Sequence, residues 1–318
     1  LPEAHVAMGS FYYHAGQFDR ALEEFDIARK QTPNSSDLLA EIAYCYRRQG
    51  KMEQAVEELT RAITLDPRSG IKLQILGDTY LRLRRYAHAE RYFDLALEIV
   101  PDLDVLYVTK AWLHVMRDGD IETAREIMQA MYEFAKITPF SSHWSALLDL
   151  AVGHYDGALK KYSVDDPASP GENHYARAYV YGLQGKSGLE RLYYDSARAV
   201  LEEGVSANPG DPRYHAGLAI TYAGLDRRNE AMHEAARTFE LAPLAADVIY
   251  NRFLVTNAAI AYVRIGEADS AISLLEELVS LPCLITPASI RVSPFWAPLR
   301  DHPRFQTLLE NDGDNDET

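Results

Sequence analysis

Cysteine is scarce. The 318 residues hold Cys45 and Cys283 alone, far apart in the chain, which excludes a disulfide scaffold and reads each as a buried apolar side chain. Long apolar runs are absent as well. No stretch approaches the roughly 18 uninterrupted apolar residues that a membrane helix needs, and the opening LPEAHVAMGS lacks the basic start and apolar core of an export signal. The chain starts at Leu1 rather than Met, so the expectation is a piece of a longer or processed protein. It is expected to be cytoplasmic, or periplasmic if an export signal or membrane span lies upstream. Basic side chains are outnumbered, with 32 Lys and Arg against 47 Asp and Glu, for a net charge of -15. That sign repels phosphate backbones and anionic lipid, so neither nucleic acid nor a membrane is expected as a direct partner.

What the sequence does have is self-similarity at a period of 34 residues. The set Gly9, Tyr12, Ala21, Phe25, Ala28 and Pro33 returns as Ala43, Tyr46, Ala55, Leu59, Ala62 and Pro67. It returns again as Gly77, Tyr80, Ala89, Phe93, Ala96 and Pro101, residue type for residue type. Separations of three and four within each set put its members on one helical face. The short runs Ala15-Gly16-Gln17, Gln49-Gly50-Lys51 and Arg84-Arg85 turn the chain between two such faces. Each unit is therefore read as two antiparallel helices. The small residues allow close backbone approach, the aromatics fill the space between pairs, and the prolines stop the second helix.

These residues closely resemble the tetratricopeptide repeat, whose signature is small-aromatic on the first helix, Ala-aromatic-Ala on the second and a terminal Pro. The resemblance implies an all-α, right-handed α-solenoid of about eight helix pairs with a C-terminal capping segment. Further copies drift from the pattern. The fourth carries Ala111, His114, Ala124 and Met128, one residue long at its turn, and the fifth spans Trp144 to Tyr162 with a short turn at His154-Tyr155-Asp156. The sixth spans roughly 172–209, its turn lengthened through Gly185-Lys186-Ser187-Gly188. The seventh carries Ala219, Tyr222, Ala231 and Pro243, and the eighth Ala259, Tyr262, Ala271 and Leu275. The chain accordingly divides into N-terminal repeats at 1–138, a degenerate repeat and linker at 139–171, C-terminal repeats at 172–286, a cap at 287–309 and a disordered acidic tail at 310–318. Phe295, Trp296, Phe305, Leu308 and Leu309 are expected to cover the last repeat.

Residues 193–309, from YYDSARAVLEEGVSANPGDPRYHAGLAITYAGLDRRNEA to the end of the cap, also resemble the C-terminal regulatory region of bacterial signalling proteins. There a repeat array follows a Ser/Thr kinase, a nucleotide cyclase or a winged-helix domain. This implies an effector upstream in the same polypeptide.

Enzyme motifs fail one by one. Gly185-Lys186-Ser187 imitates the end of a phosphate loop, yet Val180 stands where its first glycine belongs and no strand precedes it. Arg117-Asp118 lacks the preceding His and following Asn of a kinase catalytic loop. The ten histidines form no HExxH, and Asp312, Asp314 and Asp316 alternate like a calcium loop that ends before its glutamate. No catalytic residue, metal or cofactor is expected.

A protein-interaction and regulatory scaffold remains the favoured reading. The concave groove lined by first helices would present Ser10, Tyr44, Asp78 and Trp112, and three positions on Tyr13, Arg47, Leu81 and Val115. From these, Tyr13, Tyr44, Arg47, Asp78 and Trp112 are the candidate contacts for an extended protein or peptide partner, since rings supply area and charges set register. Repeats that clamp chaperone carboxylates use Lys and Asn on the first helix, Asn on the next, and Lys with Arg on the third. Val6, Ser10, Ala40, Tyr44, Gln74 and Asp78 occupy those places, and only Arg82 matches. The alternative is a ligand-sensing solenoid that binds a small molecule or oligosaccharide in a compact pocket near Trp144 and the irregular stretch to Gly171.

Overall fold

Residues 16, 50 and 84 stand one repeat apart, and each holds a left-handed backbone conformation. In the computed structural model, which describes residues 1–163 and 171–310, one such residue sits in the turn of every helix pair. They are Gly16, Gly50, Arg84, Gly119, Gly153, Gly185, Asp226 and Gly266, with φ between 59 and 78°. A left-handed residue reverses the chain within three residues, and glycine adopts it without a Cβ clash. Arg84 and Asp226 adopt it at a cost of about 1–2 kcal/mol.

The turns join α1 (Pro2–His14) to α2 (Phe18–Gln31), α3 (Ser36–Arg48) to α4 (Met52–Leu65), and α5 (Gly70–Arg82) to α6 (Tyr86–Ile99). They continue with α7 (Asp104–Asp118) and α8 (Ile121–Phe134), α9 (Pro139–Ala151) and α10 (Tyr155–Lys161), and α11 (Glu172–Leu183) and α12 (Ser187–Ala207). The last pairs are α13 (Pro212–Gly224) with α14 (Arg228–Leu241) and α15 (Asn251–Arg264) with α16 (Ala268–Ser280). There is no strand among the described residues. Caps set several starts: Ser35 and Asp120 accept the backbone N–H groups of Leu38 and Thr123, at 3.3 and 3.0 Å, and Thr138 and Ser141 form a reciprocal capping box.

Small residues do in space what their spacing implies. A Cβ on Gly9 would lie 2.4 Å from the Phe25 ring, and one on Gly77 would lie 2.6 Å from the Phe93 ring. Phe25 and Phe93 are fully buried, each worth about 1.5–3 kcal/mol of apolar transfer. Ala21, Ala55 and Ala89 are buried at the crossing of each pair.

Two expectations about the degenerate repeats are corrected. In the fifth pair the turn is of ordinary length, because buried Ala146 and Ala158 stand as far apart as Gly9 and Ala21. Its second helix is the short element, with 7 residues in α10 against 14 in α2. In the sixth pair the turn is not lengthened: α12 begins at Ser187, and the additional residues extend it to 21. A helix absorbs inserted residues with all its hydrogen bonds made, whereas a longer loop would leave backbone groups to water.

After α16 come α17 (Pro287–Val292), a 3₁₀ segment at Pro294–Leu299 and α18 (Pro303–Glu310). Trp296, Leu299, Phe305 and Leu308 are buried in one core with Ala259 and Leu275, so this segment caps the last pair. Phe295 leaves that core's centre to meet Tyr179 of α11, with ring centroids 4.6 Å apart. The linker at 165–170 and the aspartates after Glu310 lie outside the described residues.

The array also closes on itself. Segment 242–250, which carries a 3₁₀ turn at Leu244–Ala246, reaches α3: the Val248 N–H donates to the Arg48 carbonyl at 3.0 Å, and Arg48 donates to the Asp247 carboxylate. Arg84 donates to the Val279 carbonyl, and Thr286 Oγ1 donates to the Met116 carbonyl at 2.8 Å. Leu284 completes the seam by packing with Leu73, Leu81, Leu113 and Met116.

Candidate functional site

The first helices α3 and α5 place Arg47 and Asp78 face to face. Arg47 Nη2 donates to the Asp78 carboxylate, and Arg82 Nε, one turn on from Asp78, donates to it at 2.8 Å. All three residues are buried. Burial alone would raise the Asp78 carboxyl, but Arg82 and Arg47 outweigh it and hold the group below the usual carboxylate range. Arg252 of α15 arrives from the far end of the array to stand within electrostatic reach of the same group. Two guanidinium groups thus hold one carboxylate, and a third lies within its electrostatic reach.

Tyr13 and Tyr44 flank this cluster, half-buried. The Tyr13 hydroxyl accepts a 3.4 Å bond from Arg48 Nη1, and the Arg48 guanidinium lies 5.4 Å from the Tyr13 ring centre. Burial, then the nearby Glu41 carboxylate, raises the Tyr44 hydroxyl above its ordinary value. Four of the five candidate groove residues are therefore neighbours, with Arg47 and Asp78 already engaged by internal partners. Trp112 stands apart from them. Its ring meets Trp144 edge-on at 4.4 Å, in the wall of a cavity. Leu81 and Val115, expected in the groove as well, are core side chains.

The cavity, of about 930 Å³, lies inside the closed array and is lined from α7, α9, α11, α13, α15 and the cap. Its wall is mainly apolar, with a strong aromatic share. Phe253 and Phe140 each lie 6.1 Å from Trp144, and both keep more than a third of their surface uncovered. Lys161, Tyr162 and Ser163, where the short α10 ends, form part of the lining. Phe253 and Arg252 were not legible as wall residues, because only ring closure carries α15 to that place. The short fifth repeat was the available signal. Among the described residues no three His, Cys, Asp or Glu side chains gather as a metal site would require.

Models of the tetratricopeptide repeat match residues 6–70 and 73–105. BBSome complex member BBS4 of Mus musculus is 29% identical over 160 residues, which are 50% of this chain and 31% of that protein. Tetratricopeptide repeat protein 21A of Mus musculus is 22% identical over 216 residues, 59% of this chain and 16% of that one. The chain thus spans about a third or less of the length of these curated relatives. Among solved structures, a tetratricopeptide repeat protein from Parabacteroides merdae superposes with a TM-score of 0.52 at 15% identity, covering 81% of this chain and 98% of that one. Human IFIT1, solved as a dimer with PPP-AAAA, gives 0.51 at 15% identity over 96% of this chain and 80% of its own. At such identities the likeness concerns the fold alone.

Proposed function

Because the chain is a tetratricopeptide-repeat array, a fold that mediates protein–protein interaction, we propose that it is a regulatory scaffold that binds an extended segment of a partner protein along the inner wall of its first repeats. The observation that carries this is the convergence of Tyr13, Tyr44, Arg47 and Asp78, with both rings half-exposed, Tyr13 beside the Arg48 guanidinium and Tyr44 near that of Arg47. Rings of that kind provide contact area at little cost in entropy, and the flanking charges select register. Trp112 serves the same segment only where it extends toward the cavity. Segment 242–250 competes for Arg48, so partner binding and ring opening are coupled. An effector upstream in the same polypeptide, as in bacterial signalling proteins, is the partner this arrangement suits.

The test is co-purification from the native host with the parent and the Tyr13→Ala/Tyr44→Ala variant, followed by binding measurements on the proteins recovered. Loss of the two rings is expected to weaken a genuine groove partner by about 2 kcal/mol or more, with the fold retained. A partner held equally by both forms would remove the groove as the site.

A second reading, a ligand-sensing solenoid, is favoured by one observation. The aromatic cavity beside Trp144 lies within the range of roughly 300–1,000 Å³ typical of small-molecule sites.

A further inference from the structure

The cavity wall carries an electrostatic imbalance that the repeat fold does not require. Arg252 is only 3% exposed. Its Nε donates to the Ile249 carbonyl at 2.9 Å, and its guanidinium stacks 4.0 Å from the centre of the Phe253 ring. Neither terminal nitrogen has a hydrogen-bond partner, and no carboxylate lies within ion-pair distance, among the described residues. The other cations of the wall are satisfied: Lys161 Nζ lies 2.5 Å from Asp149, and Arg213 Nη2 lies 2.5 Å from Asp211. Asp78, a carboxylate whose charge reaches Arg252, is already shared by Arg47 and Arg82, whose own buried Nε and Nη1 atoms respectively have no partner.

Removing a charge from water costs several kcal/mol unless an opposite charge or hydrogen bonds replace the water. Burial, and after it the Arg82 charge, pushes the Arg252 guanidinium down to about 9. An arginine nonetheless keeps its proton in proteins, so this push expresses an unmet demand for an anion rather than a neutral side chain. With one face of the guanidinium on Phe253, the free edge offers two parallel N–H donors. That fork matches the two oxygens of a carboxylate. A single such fork suits a monoanion, whereas a phosphate dianion would require further donors. Much of the remaining wall is apolar: Trp112, Trp144, Phe140 and Phe253 present rings, Ile260 and Leu148 present aliphatic surface, and the one wall carboxylate among the described residues, Glu172, lies 3.8 Å from His143.

We propose that the cavity binds a small apolar carboxylic acid, with its carboxylate held by the free edge of Arg252 and its hydrocarbon body lying among Trp112, Trp144 and Phe253. The proposal rests on the second reading above, that the cavity is a ligand site, and adds the chemical class of the ligand. The overall charge of -15 opposes anions in general, so the local charge must supply the attraction: around Asp78, Arg47 and Arg82 take up the single carboxylate, and Arg252 is left as a net positive charge at the cavity wall.

The test is isothermal titration of the full chain with dodecanoate and with dodecanol, an apolar body of the same length without the charge. The parent protein is expected to bind dodecanoate one to one and at least about tenfold more tightly than dodecanol, the scale of a charge-assisted bidentate contact. Arg252→Gln is expected to abolish that preference while dodecanol still binds. Arg252→Lys, which keeps the charge but loses the fork, should retain part of it, and it serves as the variant of record if the glutamine protein does not fold. Equal binding of acid and alcohol by the parent would overturn the carboxylate assignment and leave the ligand-site reading standing. So would a preference unchanged in the Arg252 variants. Binding of neither probe, or binding at many sites without saturation, would overturn both.

Discussion

Arg48 and Asp247 are 199 residues apart in sequence, and Arg48 Nε donates to the Asp247 carboxylate at 2.7 Å. This pair fastens the segment before the eighth repeat to the end of the second repeat's first helix, which turns an open array into a ring with a cavity inside it. Asp247 also accepts the backbone N–H groups of Ile249 and Tyr250, at 3.1 and 3.0 Å, so the loop that presents the carboxylate is organised by the same side chain.

Arg48→Ala is therefore expected to open the seam. The pair is partly buried, with its side chains 25% and 11% exposed, which places the loss at about 1–3 kcal/mol, between an exposed ion pair and a fully buried one. Small-angle scattering should record a larger radius of gyration with unchanged helical circular dichroism. An unchanged radius would mean that Leu284 and Thr286 hold the ring without it.

Asp78→Asn is expected to be more damaging. It leaves Arg47 and Arg82 without their shared counter-charge and deprives Arg252 of a carboxylate within its electrostatic reach, a change of about 3–5 kcal/mol for a buried pair broken on one side. Adding Arg252→Gln should recover part of the loss, because it removes the guanidinium that has no carboxylate of its own. Urea unfolding of the two single variants and the double variant measures this coupling, and strict additivity would refute it.

Gly77→Leu tests the repeat signature itself. The new side chain would start 2.6 Å from the Phe93 ring, so the third pair must spread at a cost of about 1–3 kcal/mol. An unaltered melting temperature would show that α5 and α6 can separate freely.

His114 supplies a pH dependence. Burial, then the nearby Arg117 guanidinium, lowers its pKa in the folded chain below the ordinary 6.5. Between those two values the unfolded chain binds the extra proton, so stability falls as pH drops below about 6.5 and is fully restored above it. Unfolding followed between about pH 5 and 7.5 should show a shallower slope for His114→Gln than for the parent. An identical slope would assign the effect to other groups.

The repeat architecture was legible in the chain because its determinants are local. Gly9 over Phe25, Ala55 between neighbouring helices and a left-handed residue at 16 and 50 all act within one period, so spacing and residue type suffice to read them. The turn at Arg84 was legible from its place in the period even though arginine disfavours that backbone. The same arithmetic set Tyr13, Tyr44, Arg47 and Asp78 at equivalent places on successive first helices, and the structure brings them together as neighbours. Their partners were not legible, since Arg82 and Arg47 compete for Asp78 only once two helices are docked. The cavity, the seam and the unpaired charge of Arg252 depend on contacts between residues as distant as Arg48 and Asp247. No periodicity reports such a meeting, because it is the summed rotation of eight helix pairs that brings those side chains together.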